Sequence, residues 1–251
     1  MSGKRAFIIT GSSSGVGAAT AVLLARQGAG VVINHTKSAD QAGRVAEECA
    51  GAGGEALVVQ ADVATDQGCR KLAAAALEKW GRLDGLVNNA GTTKFASMRA
   101  LDALSADDFH RIYSVNVIAA YQMVRACESE LRRSRGGVVN VSSIAGTMGI
   151  GSSVAYACSK GALNTMTLAL ARSLGPEIRV NAVLPGFIET RWLKDGLGEG
   201  YDRARKSYCD NSALATTLTP EDVAATIVSL LDATKITGQL VTIDAGRGLG
   251  A

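Results

Sequence analysis

Tyr156 and Lys160 stand four residues apart in Ser153-Val-Ala-Tyr-Ala-Cys-Ser-Lys160, a stretch that reads as helix, so the phenol and the ammonium share one face. Ser143 lies just beyond the apolar run Gly137-Val-Val-Asn-Val141, which reads as a strand. A strand-end hydroxyl facing a helical Tyr/Lys pair can polarise a carbonyl and deliver a proton to it. The lysine cation is expected to lower the phenol pKa from its free value near ~10 toward working pH, where a general acid is most effective. Such a group of residues needs a partner that supplies or accepts electrons.

The elements that must position these side chains alternate along the chain. Ala6-Phe-Ile-Ile-Thr10 reads as a buried strand and Val16 to Gln27 as a helix, followed by a strand at Val31 to Ile33, a helix at Ala39 to Ala52 and a strand at Ala56 to Val59. A helix at Gln67 to Trp80 and a strand at Leu83 to Val87 come next. Ser105 to Arg133 reads as one long helix, with Ser105 as N-cap and Asp107 and Asp108 in its first turn. Strands at Val138 to Val141, Ile178 to Leu184 and Leu240 to Ile243 alternate with helices at Val154 to Leu174 and from Thr219-Pro220 to Leu231. This is the pattern of a parallel sheet covered on both faces. With no composition shift, repeat or linker, residues 1–251 read as a single domain. The pattern lapses between Pro185 and Thr219, and the segment at about 187–218 is expected to be a mobile substrate lid.

Composition excludes several classes. The chain is 47% hydrophobic and only 4% aromatic, so its core must be built from small and aliphatic residues. Its net charge is +3 with the basic residues scattered, which argues against a nucleic-acid or membrane-surface partner. Arg132, Arg133 and Arg135 are the exception, read either as a basic docking edge or as a solvated helix end. The five cysteines are odd in number and lack C-x-x-C spacing, and read as reduced thiols. The N-terminus shows no signal-peptide core and no apolar run reaches membrane length, so a cytoplasmic location is expected. His35 and His110 are the only histidines and have no ligand-spaced partners, so no metal site is expected.

Three loops follow strands. Thr10-Gly11-Ser12-Ser13-Ser14-Gly15-Val16-Gly17 joins the first strand to the first helix, where glycines let the backbone approach a pyrophosphate and the helix N-terminus offers unpaired N–H groups. Asp62-Val63 ends the third strand and reads equally as an N-cap for the next helix; Asn88-Asn89-Ala90-Gly91 follows the fourth and reads equally as a turn.

Together these residues resemble the short-chain dehydrogenase/reductase family, and the resemblance runs over essentially the whole chain. The family's glycine motif matches Thr10 to Gly17, its N-N-A-G matches Asn88 to Gly91, its Y-x-x-x-K matches Tyr156 to Lys160, its catalytic serine falls on Ser143 and its helix asparagine on Asn116. Its P-G turn matches Pro185-Gly186, with Ile188 and Thr190 in the positions that contact the nicotinamide amide and phosphates. The resemblance implies a Rossmann-type doubly wound fold of seven mostly parallel strands with helices on both faces. It also implies hydride transfer, with Tyr156 as proton donor and Lys160 holding the ribose and tuning Tyr156. Ser143 would bond the substrate oxygen, and Asn116 would kink its helix and hold a water. The cofactor is expected to meet Gly11, Ser13, Ser14, Gly15, Val16, Gly17, His35, Thr36, Lys37, Asp62, Val63, Asn89, Ala90, Gly91, Tyr156, Lys160, Pro185, Gly186, Ile188 and Thr190.

After the second strand, His35 occupies the usual acidic position, so no carboxylate repels a 2′-phosphate, while Thr36 can donate to it and Lys37 attract it. NADP(H) is favoured over NAD(H). Lys37 as a solvated side chain is the alternative. Within the family the nearest look is to 3-oxoacyl-thioester reductases, through Gly146 to Gly149 and Pro185 to Thr190. Arg191-Trp192-Leu193 and Tyr201 suggest a bulkier, more aromatic lid, which keeps small ketones, diketones and sugars as competing substrates. A non-catalytic dinucleotide sensor is the reading from another class, disfavoured because Asn116, Ser143, Tyr156 and Lys160 are all present. Pairing of the two long helices would give the homotetramer or homodimer usual in the family.

Overall fold

The computed structural model describes residues 4–249. Met1 to Gly3, which belong to the N-terminal reading above, lie outside the described residues. Seven strands, β1 (Ala6–Ile9), β2 (Gly30–His35), β3 (Glu55–Gln60), β4 (Gly85–Asn88), β5 (Gly137–Val141), β6 (Arg179–Pro185) and β7 (Leu240–Ile243), form one sheet in the order β3-β2-β1-β4-β5-β6-β7. Every pairing is parallel. Strands buried on both faces cannot alternate polar with apolar, which is why β1, β2, β4 and β5 are continuous buried runs.

Helices cover both faces. α1 (Gly15–Arg26), α2 (Ala39–Gly51) and α10 (Pro220–Asp232) pack Leu24, Val45 and Ile227 onto one side. α3 (Asp66–Trp80), α5 (Ala119–Ser134) and α7 (Val154–Leu174) pack Leu72, Met123, Leu131 and Leu174 onto the other. Strand order reverses between β1 and β4, and the carboxyl ends of the strands open there into a crevice, the place where open parallel sheets bind ligands.

Local chemistry fixes several boundaries. Ser105 and Asp108 form a capping box at the start of α4 (Ala106–Tyr113), and Thr219 and Asp222 form another before Pro220. Asp62 is no N-cap: Thr65 caps α3 by accepting from Gly68 N, while Asp62 Oδ1 accepts from Ala64 N in a local turn.

Two expectations change. The long helix is not regular, because a π-helical turn at Ser114–Ile118 separates α4 from α5, and Asn116 in that turn directs its amide inward. The segment at 187–218 is not irregular either. It contains α8 (Arg191–Leu197), capped by Thr190, and α9 (Tyr201–Asp210), with Gly198 between them at φ 51°. Their few apolar residues give no clear helical period, so the sequence pattern hid them. A short helix, α6 (Ala145–Met148), also lies between β5 and α7.

Candidate active site

The crevice holds a cleft of about 810 Å³. On its β1 side the glycine loop is shaped by backbone geometry. Gly11 and Gly15 adopt φ 61° and 56°, which an L side chain rarely tolerates. Ser14 precedes α1 without a side-chain cap bond, and the first turn carries no acidic residue, so the amides of this helix end remain open to an anion. The loop is braced from both neighbours. Asn34 Oδ1 accepts from Gly11 N at 2.9 Å, and Thr10 Oγ1 accepts from Asn89 N and Ala90 N at 3.0 and 2.9 Å. Asn89 Nδ2 in turn donates to Thr10 O and Gly11 O.

At the end of β2, His35 is buried with Nδ1 lacking any partner, while Thr36 and Lys37 are exposed at the rim. No carboxylate stands at these positions. Asp62 and Val63 close this end of the cleft.

The other end gathers the reactive side chains. Ser153 caps α7 by accepting from Tyr156 N, which starts the helix so that Tyr156 and Lys160 face the end of β5. Lys160 is buried, its Nζ donates to Val141 O at 2.8 Å, and it lies 5.6 Å from the Tyr156 ring centroid. Ser143 Oγ accepts from Ala145 N at 3.1 Å and donates to Pro185 O at 3.4 Å, beside Tyr156 in the same cleft. Asn116 ties two elements together: its Oδ1 accepts from Thr92 N at 2.8 Å, and its Nδ2 donates to Thr92 O and Ser159 Oγ, each at 3.0 Å. A Cβ added to Gly91 would stand 3.6 Å from Asn116 Oδ1 and 3.8 Å from Lys160 Nζ, so the missing side chain leaves a small polar gap between them.

The electrostatics correct one expectation. Tyr156 is not lowered toward neutrality in this structure: burial pushes its phenol up to about 12, partly offset by the neighbouring Ser143 hydroxyl. Burial likewise pushes Lys160 down to about 8, because its cation is desolvated and bonded only to a carbonyl. Desolvation therefore sets the direction of both shifts.

Of the residues predicted from sequence, all line this cleft except Gly17 and Asn116. Gly17 lies behind the loop, where a Cβ would come within 2.6 Å of Asn89 Nδ2 and 2.8 Å of Gly11 O; it allows close packing rather than ligand contact. Asn116 borders the gap behind Tyr156 and Lys160. Sequence reasoning missed Asn34 and gave Thr10 no role, although a polar residue closing an otherwise apolar strand was a usable signal in both. The basic edge is also resolved: Arg132 pairs with Glu128 and Glu177, Arg133 with Glu130, and Arg135 forms the left-handed cap of α5.

A family model described as enoyl-(acyl carrier protein) reductase matches residues 11–247. The chain is 41% identical over 243 residues to "Granaticin polyketide synthase putative ketoacyl reductase 2" of Streptomyces violaceoruber, covering 96% of this chain and 95% of that one. The chain belongs to the short-chain dehydrogenase/reductase family. It is 38% identical over 247 residues to "L-rhamnose 1-dehydrogenase (NAD(P)(+))" of Azotobacter vinelandii, covering 95% of this chain and 94% of that one. A crystal structure of "a putative short-chain dehydrogenase/reductase" from Burkholderia xenovorans superposes with a TM-score of 0.92 at 39% identity, covering all of both chains. The chain is accordingly an oxidoreductase acting on CH–OH/C=O groups, of a family that binds NAD or NADP.

The cleft fits such a dinucleotide. The positive-φ glycines leave a cradle that side chains would fill, the amides of α1 face it, and the unpartnered His35 ring lies at its far end. Among the described residues no cluster of His, Cys, Asp or Glu could hold a metal ion, and no helix is long and apolar enough to cross a membrane. The cysteines form no disulfide, and burial raises the thiol pKa of Cys49, Cys69 and Cys127.

Proposed function

We propose that this enzyme is an NADPH-dependent ketone reductase that forms a secondary alcohol, with a 3-oxoacyl thioester as the first substrate class to test. The observation that carries the reading is the pairing of two ends of one cleft: Tyr156 gathered with Ser143 and Lys160 at one end and the carboxylate-free His35-Thr36-Lys37 rim at the other. A 2′-phosphate would meet the Lys37 cation and the Thr36 hydroxyl without repulsion.

The nicotinamide supplies the hydride when bound. Tyr156, whose raised pKa keeps it protonated near neutral pH, donates the phenolic proton to the ketone oxygen, and Ser143 hydrogen-bonds the same oxygen as charge develops. A donor that holds its proton suits reduction. Lys160 holds the cofactor's ribose and, with the gap beside Gly91 and Asn116, provides a route for a proton to return to Tyr156. Glu189, which accepts from Arg205 and Thr217, fastens α9 to both ends of the lid segment at residues 187–218. We take residues 1–251 to work as one catalytic domain in the cytoplasm, assembled as a homotetramer or homodimer through α4, α5 and α7, where Ile118 and Tyr121 are exposed.

The relative named as a ketoacyl reductase supports the thioester class. The aromatic lid and the sugar-dehydrogenase relative favour small ketones or sugars as the second reading. The test is nicotinamide absorbance with NADPH or NADH, offering acetoacetyl thioester and a panel of ketones and sugars. Preferential NADPH oxidation, with the NADPH KM raised about fivefold to tenfold by Lys37→Ala and the NADH KM unmoved, is expected. Preference for NADH, or no effect of Lys37→Ala, would overturn the cofactor reading.

A further inference from the structure

In a chain with two Trp, four Phe and five Tyr, the ring–ring contacts of the described residues all lie at the cleft and its lid. One set reaches the proton donor. Trp192, on the first turn of α8, stands 6.5 Å from the Tyr156 ring at 45° and 5.5 Å from Phe95 at 54°, measured between centroids. It lines the cleft, yet 48% of its surface is exposed, an unusual position for the largest side chain of all unless something covers it.

The indole is held in place. Phe95 packs against the backbone of Gly196, one helical turn beyond Trp192, so closely that a Cβ there would meet the ring within 2.1 Å. The Phe95 loop is itself pinned: Ala96 N donates to Ser152 O at 2.8 Å, and Thr93 Oγ1 bonds Ser152 Oγ at 2.7 Å. Gly151, beside it, would place a Cβ 3.5 Å from the Tyr156 ring. Phe95 thus contacts the indole from a loop fixed to the segment that leads into α7, while Trp192 lines the cleft with about half of its surface exposed. A flat group can lie against the exposed part of the indole with its carbonyl toward Tyr156.

We propose that Trp192 is a specificity-determining residue that stacks on the substrate, and that the enzyme prefers ketones whose carbonyl is borne by or conjugated to a planar aromatic or unsaturated ring. Phe95 is a positioning residue that acts through Trp192. The proposal rests on the ketone-reductase reading and names the substrate class of that same site.

The test uses the full chain with NADPH, 1-indanone as the planar ketone whose carbonyl is conjugated to an aromatic ring and cyclohexanone as the non-planar control. The wild type is expected to show at least a tenfold higher kcat/KM for 1-indanone. Trp192→Ala should lower kcat/KM for 1-indanone about tenfold more than for cyclohexanone, chiefly through KM, and Trp192→Phe should restore most of the difference. Phe95→Leu should raise KM for 1-indanone while keeping kcat. Binding is read independently in Trp80→Phe, which leaves Trp192 as the sole indole. Titration with the product alcohol, 1-indanol, should change its emission, and the fluorescence of Trp192→Phe, which retains only Trp80, should not respond. Equal losses for both ketones in Trp192→Ala, or an unresponsive indole, would overturn the proposal while leaving the reductase reading intact. NADPH oxidation with no ketone, alongside a responsive indole, would instead overturn the reductase reading and keep the stacking site.

Discussion

The two ends of the cleft are built by different means. At the β1 end, the cleft is lined by backbone: positive-φ glycines and helix amides, braced by Thr10, Asn34 and Asn89 from neighbouring strands. At the lid end it is lined by side chains, Trp192 among them, carried on short helices outside the sheet. A backbone cradle admits little variation, because an added atom collides with other backbone. A wall of side chains on short helices outside the sheet can be exchanged without disturbing the sheet. We therefore propose that the first end sets the cofactor and the second the substrate.

The largest effect expected from this division is at their junction. Tyr156→Phe removes the proton donor but keeps the ring beside Trp192, and kcat should fall about 10³-fold with the NADPH dissociation constant changed less than threefold. A comparable loss of cofactor binding would mean that the two ends are not separable.

Next comes the buried charge. Lys160 is depressed from 10.5 to about 8 when folded, so the unfolded chain binds more protons between those values. The stabilising contribution is fully present above about 10.5 and is lost as pH falls through about 8. Relative to Lys160→Met, the cofactor-free protein should gain about 3 kcal/mol between pH 8 and 10.5, read by denaturant unfolding. Tyr156, raised from 10.0 to about 12, works in the opposite sense, its contribution being present below 10 and lost toward 12. A flat difference between wild type and Lys160→Met from pH 7.5 to 10 would show that Lys160 is solvated.

Two glycines sharpen the contrast further. Gly17→Ala places a Cβ 2.8 Å from Gly11 O and from Ser12 Cα, both backbone, and the collision should outweigh the helix propensity gained, for a net loss of roughly 2 kcal/mol in unfolding free energy. Cofactor binding should weaken with it. The atoms nearest a Cβ at Gly196 are all in the Phe95 ring, the far end of a side chain that can rotate while its loop stays pinned. The smallest effect is expected there: ketone KM raised about threefold to fivefold, with cofactor affinity and stability within about 0.5 kcal/mol of wild type. Reversal of the two would refute the division.

The sequence reading was strongest where chemistry is local. Strand runs buried on both faces, the glycine loop before a helix, and the helix starts at Ser105 and Thr219 all express rules spanning a few residues. So does the Tyr156/Lys160 spacing. Less was legible where the outcome depends on distant partners. The π-turn around Asn116 is stabilised by bonds to Thr92 and Ser159, far off in sequence. α8 and α9 lack the apolar period that betrays a helix against a sheet, because they pack on loops and rings. The Tyr156 pKa depends on how deeply the phenol is buried, which spacing cannot reveal.

Hydride transfer within this cleft is tested most directly by isotope. The enzyme is mixed with NADPH deuterated at one face of the nicotinamide C4 and with a reducible ketone, and the alcohol is analysed by mass spectrometry and NMR. Deuterium on the carbinol carbon from one labelled face alone, with the yield per unit time reduced about 10³-fold in Tyr156→Phe, is the predicted result. Alcohol formed without the label from either face, or at an unchanged rate in Tyr156→Phe, would contradict the account.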